Sequence, residues 1–412
     1  MNLIQLFSIS QLIIIGFMPE MIPALKRKID LQIRWGDFES FFQVPFQIYP
    51  PEMNFVSLLK SDLKRFLSTE NPLFRNDKLK NDKLKNNKDF EIITAHRGQV
   101  LLGRVTAHIH HASNELYQQR RCYFGFFDCV DDLDVARALL AEVEKFATER
   151  GCDEVIGNFN LTAMQQIGVV TKIEANFHYS DQVYGPVYLS KLLEQCGYRA
   201  AFPMTTHQMR LSDFDEEKLI TENQRQILAD PDFQFADLTH ADVSEVLAAM
   251  RECLNDGFSA NPMFVPLTQQ EIEFQAKDLM LVVDRKISMI VKHKGQAVGT
   301  LVCIPDLVPF LRQTRSTYSW RTPLAFINYK LRRESAVIIF YSVKKDFHSM
   351  GINGLMLYRL LQALKRRGYW RLGGTWIADE NRASLRQVEK LGGQVMHRLH
   401  LYIKNLESSA GS

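Results

Sequence analysis

The residues best suited to chemistry in this chain fall between positions 335 and 393. An apolar run, Ala336-Val337-Ile338-Ile339-Phe340-Tyr341-Ser342-Val343, leads to the loop His348-Ser349-Met350-Gly351-Ile352-Asn353-Gly354, and a helical pattern follows. A strand that ends in a Gly-bearing loop and opens a helix is a place to hold pyrophosphate. The loop amides point at the anion, and the helix N-terminus adds a partial positive charge. No other segment offers a comparable anion site. Downstream, Thr375-Trp376-Ile377-Ala378-Asp379-Glu380-Asn381 forms a second candidate strand end, carrying two carboxylates and an amide.

The elements that must position these residues occur twice. His96-Arg97-Gly98-Gln99 and His293-Lys294-Gly295-Gln296 each sit between two strand-like runs, so each predicts a hairpin with a tight turn at a basic-Gly-Gln step. After the first come a strand at 123–127 and a helix with Ala136, Leu139, Leu140 and Val143 on one face. Arg150-Gly151, a strand around Val155-Ile156, a helix with Leu189, Leu192 and Leu193, and Cys196-Gly197-Tyr198 follow. After the second come the strand ending at Val343 and a helix with Leu357, Leu360, Leu361 and Leu364. Arg367-Gly368-Tyr369, the strand at 375–377, a helix, and Lys390-Leu391-Gly392-Gly393 complete the order. Two copies of one α/β unit explain this pattern, with the boundary between about 209 and 233.

The chain of 412 residues, 46% hydrophobic and 24% charged, is that of a globular protein with two or three cores. A formal charge of +3 makes no case for nucleic acid. Six scattered cysteines without a Cys-x-x-Cys pair are expected to be reduced, buried thiols of a cytoplasmic protein. His108 and His110 would share one strand face, but no Cys or carboxylate stands at a matching spacing, so no metal is expected. Within the extension 1–28 the apolar run from Leu3 to Met18 has no basic residue before it and is shorter than the roughly 20 residues a spanning helix needs. It reads as an over-called start with Met18 or Met21 as the true one, as a packed or membrane-touching segment, or as a real signal. Residues 76–88 hold a tandem Asn-Asp-Lys-Leu-Lys and read as a solvated loop.

In this order of elements the chain resembles the GNAT superfamily of acyl-CoA-dependent N-acyltransferases, as two tandem units similar to little-characterised bacterial two-unit members. The resemblance implies a mixed α/β (α+β) fold. Each unit would be a mostly antiparallel twisted sheet flanked by helices, with 29–212 as the first unit, 213–406 as the second and 407–412 as a tail. The family loop Arg/Gln-x-x-Gly-x-Gly/Ala corresponds to His348-Ser349-Met350-Gly351-Ile352-Asn353. Gly351 matches, while His348 and Asn353 depart from the pattern, and Asn tolerates left-handed backbone angles. Asn381-Arg382-Ala383-Ser384 and Glu389-Lys390-Leu391-Gly392 follow the family's Asn-x-x-Ala/Ser…Glu-Lys-Leu-Gly, but Val388 stands where the family often has an acidic Tyr.

The resemblance implies acyl-CoA as co-substrate, held by residues 348–354, with Asn381 on the pantetheine arm and a backbone amide near Val343 facing the developing oxyanion. A general base is needed because a free amine is protonated at neutral pH. Tyr341, Asp379 and Glu380 are the candidates, against readings as core packing and surface carboxylates. Where the first unit would need the loop it reads Asp128-Cys129-Val130-Asp131-Asp132-Leu133-Asp134, with four carboxylates and no glycine. One CoA site is therefore expected, with the first unit shaping the acceptor pocket. Gly157-Asn158-Phe159-Asn160 and His178-Tyr179-Ser180-Asp181 could face that pocket, or serve as turns and packing.

The acceptor is expected to be a small-molecule amine or a lipidic amine acylated with a long chain, as in ceramide-like products, and an acyl carrier protein could deliver the chain instead. A non-catalytic binding protein with the same fold stays open. The insertion at 306–334 mixes Phe310, Tyr318, Trp320, Phe326 and Tyr329 with Arg and Lys, which suits peripheral contact at the inner membrane face or a solvated cover for the sheet.

Overall fold

A computed structural model describes residues 30–74, 89–212 and 220–407. The extension 1–28, the polar duplication at 76–88, the acidic run at 213–217 and most of the tail 407–412 lie outside the described residues. The first half supplies strands β1 (Leu31–Trp35), β2 (Phe90–Arg97), β3 (Val100–Ile109), β4 (Arg121–Cys129), β5 (Glu154–Gly157), β6 (Val169–Ile173) and β7 (Arg199–Arg210). The second supplies β8 (Phe233–Asp237), β9 (Met289–His293), β10 (Gln296–Pro305), β11 (Ser335–Val343), β12 (Arg371–Ala378) and β13 (Gln394–Asn405).

Both expected hairpins form, β2–β3 and β9–β10, with Gly98 and Gly295 at positive φ in the turns. Each half then repeats one order: strand, two helices, three antiparallel strands, a long helix, a parallel strand, a shorter helix and a final strand. Outside this order stand helix His111–Tyr117 and β6 in the first half, and a leading helix Glu222–Ala229 and a two-helix insertion in the second. The long helices Leu133–Glu149 and Ile352–Arg366 bury the apolar faces that their spacing predicts, Leu139, Leu140 and Val143 in one and Leu360, Leu361 and Leu364 in the other. Helices pack on both sides. Ile290 and Val291, adjacent on β9, point into different cores, one against helix Val243–Gly257 and the other against helix Ile352–Arg366.

All thirteen strands join one sheet, in the order β1-β2-β3-β4-β5-β13-β7-β12-β11-β10-β9-β8, with β6 on β13. The chain's last strand lies between β5 and β7, and β7, the last strand of the first half, pairs with β12. Each half therefore lends its final strand to the junction. The pairs β4–β5 and β11–β12 are parallel, and each is short.

The insertion forms two helices, Val308–Thr314 and Thr322–Arg332. Phe310, Leu311, Ala325 and Tyr329 are buried between them, and Ser316 ties them to the first half through its hydroxyl on the Ser57 carbonyl at 2.8 Å.

Candidate active site

β11 pairs with β12 only from Ser335 to Ile338, opposite Arg371 to Gly374. Beyond that point the two strands part. At the same point β11 bulges, because Ile339 has no counterpart between Val302 and Cys303 of β10. The Lys344 amide donates to the Val298 carbonyl at 2.8 Å. By the alternation of an antiparallel strand, the Tyr341 N–H and C=O and the Val343 N–H turn the other way, into the gap, while the Val343 carbonyl is taken by His348. A stretch of strand edge is thus left unpaired in the middle of a sheet, where an amide-bearing chain can add to it. A methyl group built on Gly374, on the opposite wall, meets no atom within 4 Å.

The strand edge runs into a 3₁₀ turn, Lys345–Met350, and then Gly351 at φ 81°, ψ 13°. Gly351 is the N-cap of helix Ile352–Arg366 and has no capping side chain. A residue with Cβ at this φ is strained, which is the physical reason for the family's glycine. The first-turn amides of any helix lack intrahelical acceptors, so Ile352, Asn353 and Gly354 present N–H groups at this end. The Asn353 Oδ1 is buried without a hydrogen-bond partner. Exchanging its amide orientation turns a donor to the same place. This donor set suits a diphosphate, and residues 349–354 are the ones that would hold it.

His348 is exposed, but its Nε2 lies 2.8 Å from the Val343 carbonyl, and so it braces the loop. Gln224, from helix Glu222–Ala229, donates from Nε2 to the Gly351 carbonyl at 2.9 Å, and its side chain lies against Gly354. No spacing in the sequence links residues 224 and 351.

Tyr341 donates its hydroxyl to the Asn353 carbonyl, with Gln387 Oε1 at 3.4 Å. Burial pushes its pKa well above the usual phenol value. A base needs the opposite on both counts. The geometry corrects the expectation for Tyr341, which is a strut between β11 and the helix.

The other wall carries Asp379, Glu380 and Asn381 at the end of β12. Asp379 is half-buried, its amide on the Pro203 carbonyl at 3.0 Å, and burial lowers the pKa of the nearby His400 against the opposing Asp379 charge. Burial likewise lowers the pKa of His207, to about 4, and its Nδ1 has no partner. Glu380 is exposed. Asn381 caps helix Arg382–Lys390 by accepting from the Ser384 amide at 3.1 Å, which leaves its NH2 group for a ligand. That helix buries none of its residues. Its inner face (Ser384, Leu385, Gln387, Val388) lines a gap.

The first half repeats the parting of strands but closes it. Asn160 Oδ1 takes the Phe126 amide at 2.7 Å and Asn158 Oδ1 takes the Phe127 amide at 3.2 Å. The groups left open on β11 are thus already satisfied on β4. Beside them Asp128 is buried, paired with Arg104 at 2.7 Å and accepting from the Tyr49 hydroxyl at 2.5 Å. A buried carboxylate here opposes a phosphate. Asn158 and Asn160 are therefore internal caps, while also lining a cleft with Gln182 and Tyr184.

The turn after His178 reaches the second half. Gln182 Nε2 donates to the Gly374 carbonyl at 2.6 Å, the Tyr179 ring lies against Gly373, and Ser180 Oγ donates to Asp306 at 2.9 Å. Asp181, at φ 64°, stands between them, and desolvation raises its pKa to about 7. His178 is stacked on Tyr184, its pKa lowered by burial. His108 holds the Leu161 carbonyl at 2.8 Å, and His110 caps helix His111–Tyr117 through its Nδ1. Among the described residues no cluster of His, Cys, Asp and Glu could hold a metal.

No family model matches the chain. It is 22% identical to "Protein YghO" of Escherichia coli (strain K12) over 378 residues, covering 90% of this chain and 93% of that protein. It is 24% identical to "Bacterial ceramide synthase" of Caulobacter vibrioides (strain NA1000 / CB15N) over 383 residues, covering 90% and 95%. Among solved structures, a tandem GNAT protein from the clavulanic acid biosynthesis pathway superposes with a TM-score of 0.55 at 9% identity, covering 91% of this chain and 98% of that one. A GCN5-related N-acetyltransferase from Sphaerobacter thermophilus gives 0.51 at 11%, covering 91% and 95%. The chain has the tandem GNAT fold.

Proposed function

We propose that this protein is an N-acyltransferase that moves a long acyl group from acyl-CoA to a lipidic amine, with residues 213–406 holding the donor and 29–212 shaping the acceptor side. The observation that carries the reading is the open edge of β11, the Tyr341 backbone groups and the Val343 N–H, leading through one 3₁₀ turn to the Gly351-headed helix. It offers the pantetheine amides a strand to pair with and the diphosphate a set of N–H groups. Acyl-CoA supplies the thioester. The neutral amine attacks its carbonyl carbon, a C–N bond forms as the C–S bond breaks, and the CoA thiolate leaves. The enzyme's share is orientation, an N–H facing the oxyanion, and removal of the ammonium proton. We assign that proton to Asp379, with Glu380 as the alternative. Val388 provides no acid, which a thiolate leaving group tolerates.

Two observations support a long-chain substrate. On the face away from helix Ile352–Arg366, Ile339 and Phe340 pack with Met164, Phe258 and Phe264. A narrow cleft opens beside them, lined by Phe159, Met164, Met263 and Phe264, with His110 and Glu271 as polar groups. The name carried by the Caulobacter relative points to the same class of product. Delivery by an acyl carrier protein fits these residues equally.

Product mass spectrometry with acetyl-CoA or palmitoyl-CoA, against a long-chain amino alcohol and a panel of polyamines and amino acids, tests the reading. The expected result is turnover with palmitoyl-CoA and the amphiphilic amine. Preference for acetyl-CoA and a soluble amine replaces it with small-molecule acetylation. Calorimetric binding of CoA without turnover on any amine replaces it with a binding protein. Gly351→Val, which forces a branched residue into the left-handed region at a cost of about 1–3 kcal/mol, is expected to abolish CoA binding. Unchanged binding sinks the site.

A further inference from the structure

We infer that the helical insertion at 308–333 is a docking surface for an anionic lipid bilayer. This deepens the lipidic-acceptor reading by naming the surface on which the acceptor is met. Its physical basis stands apart from the chemistry of the gap.

Among the described residues, eleven large hydrophobic side chains are exposed, and five of them (Tyr318, Trp320, Leu324, Ile327 and Leu331) fall within fourteen residues of this insertion. Leu324, Ile327 and Leu331 follow helical spacing and form one stripe on helix Thr322–Arg332. The opposite stripe, Ala325 and Tyr329, is buried against Phe310 and Leu311. The helix is thus apolar on both sides. A helix that faces water is polar on its outer side, so the outer stripe calls for a non-aqueous partner. Trp320 is 77% exposed and Leu331 81%, so these side chains protrude instead of lying in a groove.

Charge identifies the partner. Residues 308–333 contain Arg312, Arg315, Arg321, Lys330, Arg332 and Arg333 and no Asp or Glu, flanked by the buried Asp306 and by Glu334, which accepts from the Trp370 indole, in a chain whose whole formal charge is +3. Arg333 turns inward to Asp284 at 3.4 Å, while the other five are exposed. Arg321 lies over the Trp320 ring at 4.8 Å and Lys330 over Phe326 at 4.7 Å. Protruding aliphatic and indole groups ringed by cations match a bilayer interface with negative headgroups.

The surface also lies at a useful place. It joins β11 at Ser335, whereas the Gly351 turn follows the other end of that strand, roughly 25 Å away at about 3.3 Å per residue. CoA can therefore enter from water while a lipid arrives from the membrane side. Leu307 packs both on the insertion and on the buried cluster of Tyr179, Ile304 and Val337, so the insertion is anchored on the core beneath the point where β11 and β12 part.

The test is co-sedimentation of the full chain with vesicles of phosphatidylcholine alone or with 30% phosphatidylglycerol, at low and high salt. Two variants accompany it: Leu324→Glu/Ile327→Glu/Leu331→Glu, and Arg312→Glu/Arg321→Glu/Arg332→Glu. The wild type is expected to bind anionic vesicles at least tenfold better than neutral ones, less at high salt, and each variant to lose at least tenfold. Calorimetric CoA binding should be unchanged in both variants, which separates failure of this surface from failure of the acyl-CoA site. The N-terminal 29 residues are the same throughout, so undiminished binding by the variants assigns any affinity elsewhere and overturns the inference. Lack of vesicle binding by the wild type overturns it too. So does a dimer that the triple Glu variant dissociates without vesicles, since the surface is then an interface between copies.

Discussion

Asp181 occupies the third position of the turn formed by Tyr179, Ser180, Asp181 and Gln182, a place with positive φ that favours glycine or asparagine. No donor among the described residues reaches its carboxyl, whose pKa rises from 3.8 to about 7 on desolvation. Between those values the folded chain keeps a proton that the unfolded chain gives up, so this residue lowers stability as pH rises through that window and most fully above pH 7. Asp181→Asn is expected to raise Tm at pH 8 and leave it almost unchanged below pH 4. A drop at pH 8 would mean that the carboxylate has a stabilising partner. His110, His207 and His397, each lowered to about 4 by burial, act with the opposite sign. The unfolded chain takes up their protons below pH 6.5, so they cost stability on acidification between 6.5 and 4. At this scale the sequence announces Gly351 through its strand-loop-helix context. It is silent on Gln224, because a clamp between positions 127 residues apart leaves no local pattern.

On the proposed reading, the contrast between β4 and β11 sets the number of acyl-CoA sites at one. Asn158 and Asn160 fill on β4 the hydrogen bonds that a ligand would make on β11. Asn158→Ala or Asn160→Ala strands a buried amide and is expected to cost about 1–3 kcal/mol each in urea denaturation. Native mass spectrometry should still count one CoA per chain, and a second bound CoA in either variant would show that the asparagines alone keep the first half closed. The acidic run at 128–134 signals that closure in the sequence, but the asparagines do not, since a side chain that replaces a strand partner looks like any polar loop residue. The long helices are legible because their apolar residues keep to one face. The helix Thr322–Arg332 is not: apolar on two sides, its periodicity cannot say that Tyr329 is buried while Leu331 is exposed.

The order of elements in each half follows from the duplicated sequence pattern, yet the exchange of β7 and β13 does not. Strand pairing across the junction depends on contacts between residues far apart, such as Tyr402 with Gly157, and no local composition encodes it. Residues 1–212 made alone would lack β13, and 213–412 alone would lack β7. Each fragment is expected to be insoluble by itself and to recover CoA binding when the two are co-expressed. A monomeric, cooperatively melting 1–212 fragment would show that the exchange is dispensable. The same exchange sets a clock on synthesis. Val155 and Ile156 of β5 wait for a neighbour that begins only at residue 394, and at about 5–20 residues per second this interval is on the order of ten to fifty seconds. Throughout it the nascent chain presents a hydrophobic sheet edge to whatever else is emerging nearby. Translation rate and chaperone supply, more than the stability of the finished sheet, then set how much of the chain reaches its native state.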